Sequence, residues 1–258
     1  MTTHTQDHAK GAVPTRRERQ REATYVEIVR ASRELLAEGA ELSLRAVAAK
    51  MGVTAPALYR YVANVQELVD LVAFEIDKAA TEGFATAIEA LPADDPAGRL
   101  VLASTEFRLW ALASPHEFQL VFANPIADVE SVRRELHTLY CSGHLFTDLM
   151  FEVWQQNDFP IPELDDLPES VRVALEDPMI PAKVERIPTE HRGLLWVYMQ
   201  GWTQLYGVVV LEVMGHMDPR VIESGDMFVD VVRGFAPKMG LAEEVPRLER
   251  IIRDRLRA

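Results

Sequence analysis

The stretch LSLRAVAAKMGVTAPALYRYVANVQELVDLV, Leu42 to Val72, limits what this chain can fold into more than any other part of it. Leu44, Val47, Ala48 and Met51 recur at helical spacing for about two turns, and Gly52 then stops them. Thr54 stands where a helix cap belongs, and Pro56 follows in the first turn, where a missing N–H costs nothing. Two helices this short bury little alone but can close a small core when crossed at a tight turn. Gly52 suits the turn because glycine takes positive φ without a Cβ clash. Ala48 is small enough to let the helices approach, and Val47, Val53, Leu58 and Val62 are predicted to fill the space between them. That turns Thr54, Ala55, Ala57, Tyr59 and Arg60 outward, on an edge that suits a DNA major groove.

The flanking sequence reads as helix throughout. Residues 1–18 are predicted as a flexible arm, and a helix from about Arg19 to Glu38 ends at Gly39. Ser43 caps the second helix, and Asn64, with Glu67 three residues on, opens a fourth that runs toward Ala90. Asp95 caps a helix from Pro96 to Ala113, and Ser114-Pro115 restarts one to about Ala123. After a turn at Asn124-Pro125, helical patterning covers Val129 to Gln156. Six prolines between Phe159 and Pro188 predict a long acidic loop over 157–188, with about one helical turn near Val171. Helices are expected at Thr189–Gly215, Pro219–Lys238 and Ala242–Arg257. No convincing strand alternation occurs, so the fold class is all-α: a helix-turn-helix domain over 19–72 and a larger helical domain over 73–258.

Charge divides the same way. Residues 1–62 carry a net +3 and residues 63–258 a net −16, within a total of −13. A basic head on an acidic body is the asymmetry of a chain that meets phosphate with one part only. One cysteine, Cys141, allows no internal disulfide and fits a reducing cytoplasm. No apolar run reaches the length of a membrane span, and the N-terminus lacks the apolar core of a signal peptide.

With these residues in view, the segment resembles the tetracycline-repressor (TetR) family of transcription regulators. Ser43, Val47, Ala48, Gly52, Val53, Thr54, Leu58, Tyr59, Tyr61, Val62, Asn64 and Leu68 fill its typed positions without a gap. One departure is Val65, where the family usually carries a lysine that reaches a phosphate. The resemblance implies that Ser43, Tyr59 and Tyr61 contact phosphates and that Arg45 and Arg60 read guanine edges. It leaves Ala55, Pro56 and Ala57 to apolar contacts, with Thr54 and Asn64 on the same edge, and lets Arg16, Arg17 and Arg19 add backbone contacts. The implied partner is double-stranded operator DNA.

The second domain resembles, more loosely, the ligand-binding and dimerisation domain of that family, in Arg108–Asp128 and Trp196–His216. Three helical faces combine large apolar groups with polar ones, as a pocket for a small-molecule effector requires. They are Phe107, Trp110 and Ser114; Phe146, Met150 and Trp154, near His144 and Thr147; and Trp196, Met199, Gln200 and Thr203. Read alone, the same residues also suit an ordinary core. The resemblance implies a homodimer built on two helices per subunit, with Gly207, Val208, Leu211, Gly215, Met227 and Val231 near the interface. The implied action is that of a repressor released from a palindromic operator by an apolar or aromatic ligand; an activator, or a DNA binder without a ligand, is the alternative.

An enzyme is the remote alternative. No G-x-S-x-G, P-loop or dinucleotide fingerprint occurs. His144 and Asp148, or His137 and His144, share a helical face, but neither pair has a third ligand near in sequence. No catalytic residue, metal or cofactor is predicted.

Overall fold

The computed structural model describes residues 15–123, 141–176, 178 and 187–258. The N-terminal arm up to residue 14, the turn at Asn124-Pro125, the start of the helix expected at Val129 and most of the stretch from 177 to 186 lie outside the described residues. No strand occurs among the described residues, and the fold is all-α. The chain divides into two compact units, Met1–Val72 and Ala73–Ala258.

In the first unit, α1 (Arg16–Ala37) begins three residues before the predicted start. Thr15 explains this: its hydroxyl accepts from the Glu18 N–H, and the Glu18 carboxylate accepts from the Thr15 N–H at 2.7 Å. This reciprocal cap satisfies two donors that a helix start leaves open. α2 (Leu44–Lys50) and α3 (Ala55–Leu58) follow, then α4 (Val65–Ile88). Ile28, Ala31, Leu35, Leu36, Leu44, Val47, Ala48, Leu58, Val62 and Leu68 are buried together in this part of the chain.

The second unit is built around α5 (Pro96–Ala113), which packs against α7 (Cys141–Asn157), α9 (Gly193–Val213) and α12 (Val245–Arg257). α6 (Pro115–Phe122) continues from α5, and α9 also packs against α11 (Asp226–Phe235). Asp95 caps α5 as predicted, its carboxylate accepting from the Gly98 N–H at 2.9 Å. The same carboxylate receives the Arg247 guanidinium at 2.7 and 3.1 Å, and Arg255 pairs with Glu106, so α12 is tied to α5 at two points.

Three predicted elements differ. The loop over 157–188 contains a 3-10 turn at Leu164–Asp166 and a two-turn helix, α8 (Glu169–Glu176). Leu175 packs with Ile187 and Leu195 in a small separate core, and Arg192 donates to the Leu175 carbonyl at 3.1 Å, closing the end of α8. Thr189 does not cap the next helix; it opens a 3-10 turn, and α9 starts at Gly193. The helix predicted over Pro219–Lys238 is broken into α10 (Pro219–Ser224) and α11 by Gly225 at φ 67°.

Candidate nucleic-acid interface and second-unit cavity

The geometry of the first unit's candidate site begins at the end of α2. Gly52, at φ 69°, donates to the Ala49 carbonyl at 3.1 Å, and Val53 donates to the Ala48 carbonyl at 2.9 Å. This paired closure turns the chain sharply and starts α3 four residues after α2 ends. Ser43 caps α2 through its hydroxyl, which accepts from the Ala46 N–H at 3.2 Å. Thr54 occupies the N-cap position of α3 without a side-chain hydrogen bond. Asn64 caps α4 by accepting from the Glu67 N–H at 2.9 Å, while the Glu67 carboxylate reaches the Ala63 N–H, one residue earlier than a standard capping box.

Leu58 and Val62 are 1% exposed and Val47 fully buried, so the apolar side of this unit is closed. Val53, predicted to join them, is 42% exposed: the two closing hydrogen bonds hold it on the outside of the turn. Arg45, Thr54, Pro56, Tyr59, Arg60 and Asn64 are exposed, and Ser43, Ala55, Ala57 and Tyr61 half-buried. Tyr61 is a packing residue as well: its ring meets Tyr25 edge-on at 5.7 Å, and the Tyr25 hydroxyl donates to the Tyr61 carbonyl at 3.2 Å. Arg21 holds that pair from above, donating to the Tyr25 hydroxyl at 3.1 Å. Lys50 is engaged by Glu34 and Glu38, whereas neither Arg45 nor Arg60 has an ion-pair partner among the described residues.

In the second unit the residues predicted to bind a ligand are dispersed. Phe107 is fully buried at the centre of an aromatic cluster, within 6.3 Å of Phe84, Trp110, Phe118, Phe122, Phe146 and Trp202. Ser114 joins α5 to α6, its carbonyl accepting from the Phe118 N–H. Thr147 is buried with its hydroxyl donating to the Gly143 carbonyl at 2.8 Å, and His144 lies half-buried on the same helix. The Trp154 ring meets His191 at a tilt of 54°, with centroids 4.8 Å apart. Trp196 and Met199 pack against the small core around Leu175. Gln200 accepts from Lys238 at 2.7 Å, and Thr203 is exposed.

Of the faces read as pocket walls, Phe146 and Met150 line a cavity of about 70 Å³ among α5, α7, α9 and α11. Its other walls include Leu100, Tyr198, Trp202 and Phe235, with Ser104 and Gln204 as polar members. The sequence contained a signal for this: Phe146 and Met150 are four apart, and Tyr198, Trp202 and Leu205 form one stripe of α9. α9 is apolar on nearly every side, so periodicity alone does not say which stripe faces inward. Burial pushes the Tyr198 phenol well above its ordinary ionisation range, and the nearby Asp77 carboxylate adds to this.

Asp77 itself is buried. It accepts from the backbone N–H groups of Cys141 and Ser142 at 2.7 and 3.2 Å and from the Ser142 hydroxyl, serving the open donors at the first turn of α7. Burial raises its pKa, and these hydrogen bonds partly offset the rise.

Of the residues expected near a dimer interface, Leu211 and Met227 are 42% and 43% exposed; Met214, which was not among them, is 39% exposed. Gly215 is exposed and Gly207 half-buried, with open space where a Cβ would stand on either. Val208 lies in the core, and Val231 lines the cavity. No group of three metal-ligating side chains occurs among the described residues, and none of their helices is long and apolar enough to cross a membrane.

Comparison with known proteins gives this arrangement a family. Residues 100–235 match the model of the tetracyclin repressor-like C-terminal domain. HTH-type transcriptional regulators Rv1816 of Mycobacterium tuberculosis and Mb1846 of Mycobacterium bovis are each 32% identical over 106 residues, which is 41% of this chain. The matched region spans 44% of the length of either relative. A crystal structure of a regulatory protein, SCO4313, superposes with a TM-score of 0.56 at 21% identity, covering 84% of this chain and 99% of that one, which is a likeness of fold. The family match extends over more than half of the sequence, from the cavity wall at Leu100 to Phe235, and the chain belongs to the tetracycline-repressor-like family of transcription regulators.

Proposed function

We propose that this protein is a sequence-specific DNA-binding regulator, not an enzyme, and that it acts as a homodimer whose hold on a palindromic operator is released by a small effector. The observation that carries the reading is the edge formed by Arg45, Tyr59 and Arg60. These side chains are exposed around a turn whose opposite side is fully packed, and neither arginine is drawn into an ion pair among the described residues. Arg45 lies on α2 and Arg60 in the turn after α3, and an unpaired guanidinium there is free to meet guanine O6 and N7. Ser43 and Asn64 cap the starts of α2 and α4, and helix starts are able to hold phosphates and so fix register, which supports the reading.

Twofold pairing is supported by Leu211, Met214 and Met227, apolar groups left open to solvent on α9, its C-terminal cap and α11. Exposed apolar side chains gathered on a helix pair are what an interface between copies covers. Release by an effector needs only that the effector bind the form without DNA more tightly, in which case DNA and effector weaken each other equally.

Selection from random double-stranded oligonucleotides tests the reading. The expected outcome is one enriched palindrome with half-sites a helical turn of DNA, or a multiple of it, apart. Recovery of no enriched sequence, or of the same sequence by an Arg45→Ala, Arg60→Ala double variant with undiminished affinity, would overturn it.

A further inference from the structure

The cavity says what kind of molecule the second unit can hold. It is walled by hydrocarbon and aromatic side chains, and among the described residues no Asp, Glu, Lys, Arg or His lines it. A charged molecule entering it would lose its hydration with no counter-charge in return. The volume of about 70 Å³ is roughly five times what one water needs, so a single ring or a short branched chain fills it. Tyr198 is 7% exposed and lines the cavity, and no hydrogen bond from another described residue acts on its hydroxyl. The other polar groups are less available or lie at the edge: the Ser104 hydroxyl donates to the Leu100 carbonyl at 2.8 Å, and Gln204 is exposed. The Asp77 carboxylate is close enough to bear on Tyr198, so a second anion there is opposed by charge.

The size of the space has a definable origin. Gly201 lines the cavity, and a Cβ placed on it would stand 2.8 and 3.0 Å from the ring edge of Phe235. Because that ring edge is the far end of a side chain, it would turn aside, and the cavity borders it. The absence of a side chain at Gly201 therefore lets Phe235 lie back against α9 and leaves the space open.

We infer that the effector is a small, uncharged, mainly apolar molecule with one hydrogen-bonding group, held in this cavity with Tyr198 as its polar partner and the Gly201–Phe235 contact setting its maximum size. The inference rests on the proposed regulator reading for the word effector; the binding itself is independent of DNA.

Three probes of one shape test it by calorimetric titration of the full chain without DNA: toluene, benzyl alcohol and benzoate. Toluene and benzyl alcohol should bind, and benzoate should bind at least tenfold more weakly than the alcohol. Tyr198→Phe should weaken benzyl alcohol about tenfold and leave toluene unchanged, a difference that mere loosening of the fold does not produce. Gly201→Ala should weaken both neutral probes, and Val231→Phe, which fills the space from α11, should abolish them. Val231→Met replaces that variant if the larger ring prevents folding, as judged by circular dichroism. Benzoate binding as tightly as the alcohol, no binding of either neutral probe, or undiminished binding to the filled variants would overturn the inference. Loss of probe binding with oligonucleotide selection intact refutes this site alone. Probe binding with no selected DNA refutes the regulator reading alone.

Discussion

Arg108 and Glu212, 104 residues apart in sequence, form a two-point ion pair in the core, with Nε to Oε2 at 2.6 Å and a second guanidinium nitrogen to Oε1 at 3.2 Å. Their side chains are 3% and 0% exposed. The guanidinium also lies over the Phe228 ring, at 5.6 Å, and donates to the Ile222 carbonyl at the end of α10. One side chain of α5 thus joins α9, α10 and α11. Removing either partner leaves a buried charge without compensation. Arg108→Leu should destabilise the fold by about 3–5 kcal/mol in urea denaturation, and Arg108→Met with Glu212→Leu should recover most of that loss. A cost below about 1 kcal/mol for the single change would show that water reaches the pair.

Asp77 gives the stability a definite dependence on pH. Burial raises its pKa in the fold, so between the unfolded and the folded value the native state holds more protons. Its contribution is therefore complete at pH below about 3.9 and is lost as pH rises through the folded value. Asp95 works in the opposite direction. Burial opposes its charge, but the Arg247 guanidinium and the Gly98 N–H outweigh burial and leave its pKa lowered, so its contribution is lost as pH falls. In Asp77→Asn the decline of stability on the alkaline side of pH 4 should flatten. In Arg247→Ala the protein should become less sensitive to acid relative to its own neutral-pH stability. Unfolding curves from pH 3 to 8 distinguish these outcomes.

Gly52 has open space where a Cβ would stand, so the cost of a side chain there comes from φ alone. Gly52→Ala should lower stability by about 1–2 kcal/mol, and Gly52→Asn by less, because asparagine tolerates the left-handed region better. If alanine cost more than that, a contact beyond the backbone would be responsible. Chemical denaturation followed by circular dichroism measures both.

The DNA edge predicts a difference rather than a simple loss. Arg45→Ala should weaken selected DNA by about 1–3 kcal/mol and relax the preference at one base pair, with a smaller effect on random DNA. Fluorescence anisotropy with both duplexes at one fixed salt concentration makes the comparison. Equal losses would reduce Arg45 to a phosphate contact.

The open apolar groups on α9 and α11 predict an effect on assembly. Leu211→Glu combined with Met227→Glu should shift the protein toward monomer at micromolar concentration in analytical ultracentrifugation, with little change in the melting of the monomer. An unchanged sedimentation coefficient would remove these residues from any interface.

Local chemistry made much of the first unit readable. Ser43, Asn64 and Asp95 cap the helices they were predicted to cap, and Gly52 makes the predicted turn, because each effect reaches only three or four residues along the chain. The failures have causes farther away. Nothing near Gly225 in sequence says that the helix breaks there; a Cβ at that position would stand 2.7 Å from a Leu256 methyl and 3.5 Å from the Arg108 guanidinium. Phe107 and Trp110 have the composition of a pocket wall but meet six and four rings of their own core, which no helical wheel reveals. The α9 wall of the cavity was missed because α9 is apolar around its circumference, and only the side chains of α5, α7 and α11 decide that Tyr198 and Trp202, not Trp196 and Thr203, face it. About one helical turn was expected near Val171 and α8 is twice that: Pro168 and Pro178 frame it, while Val171 and Leu175 keep the spacing of one helical face.

α3 is a single turn, Ala55 to Leu58, and three of its four residues are alanine or proline. Such an element offers few hydrogen-bonding groups to base edges, so direct contacts can distinguish only a few base pairs in each half-site. The rest of the discrimination must come from how readily a sequence narrows or bends beneath the protein. Operators for this chain should therefore share a mechanical character more closely than they share letters.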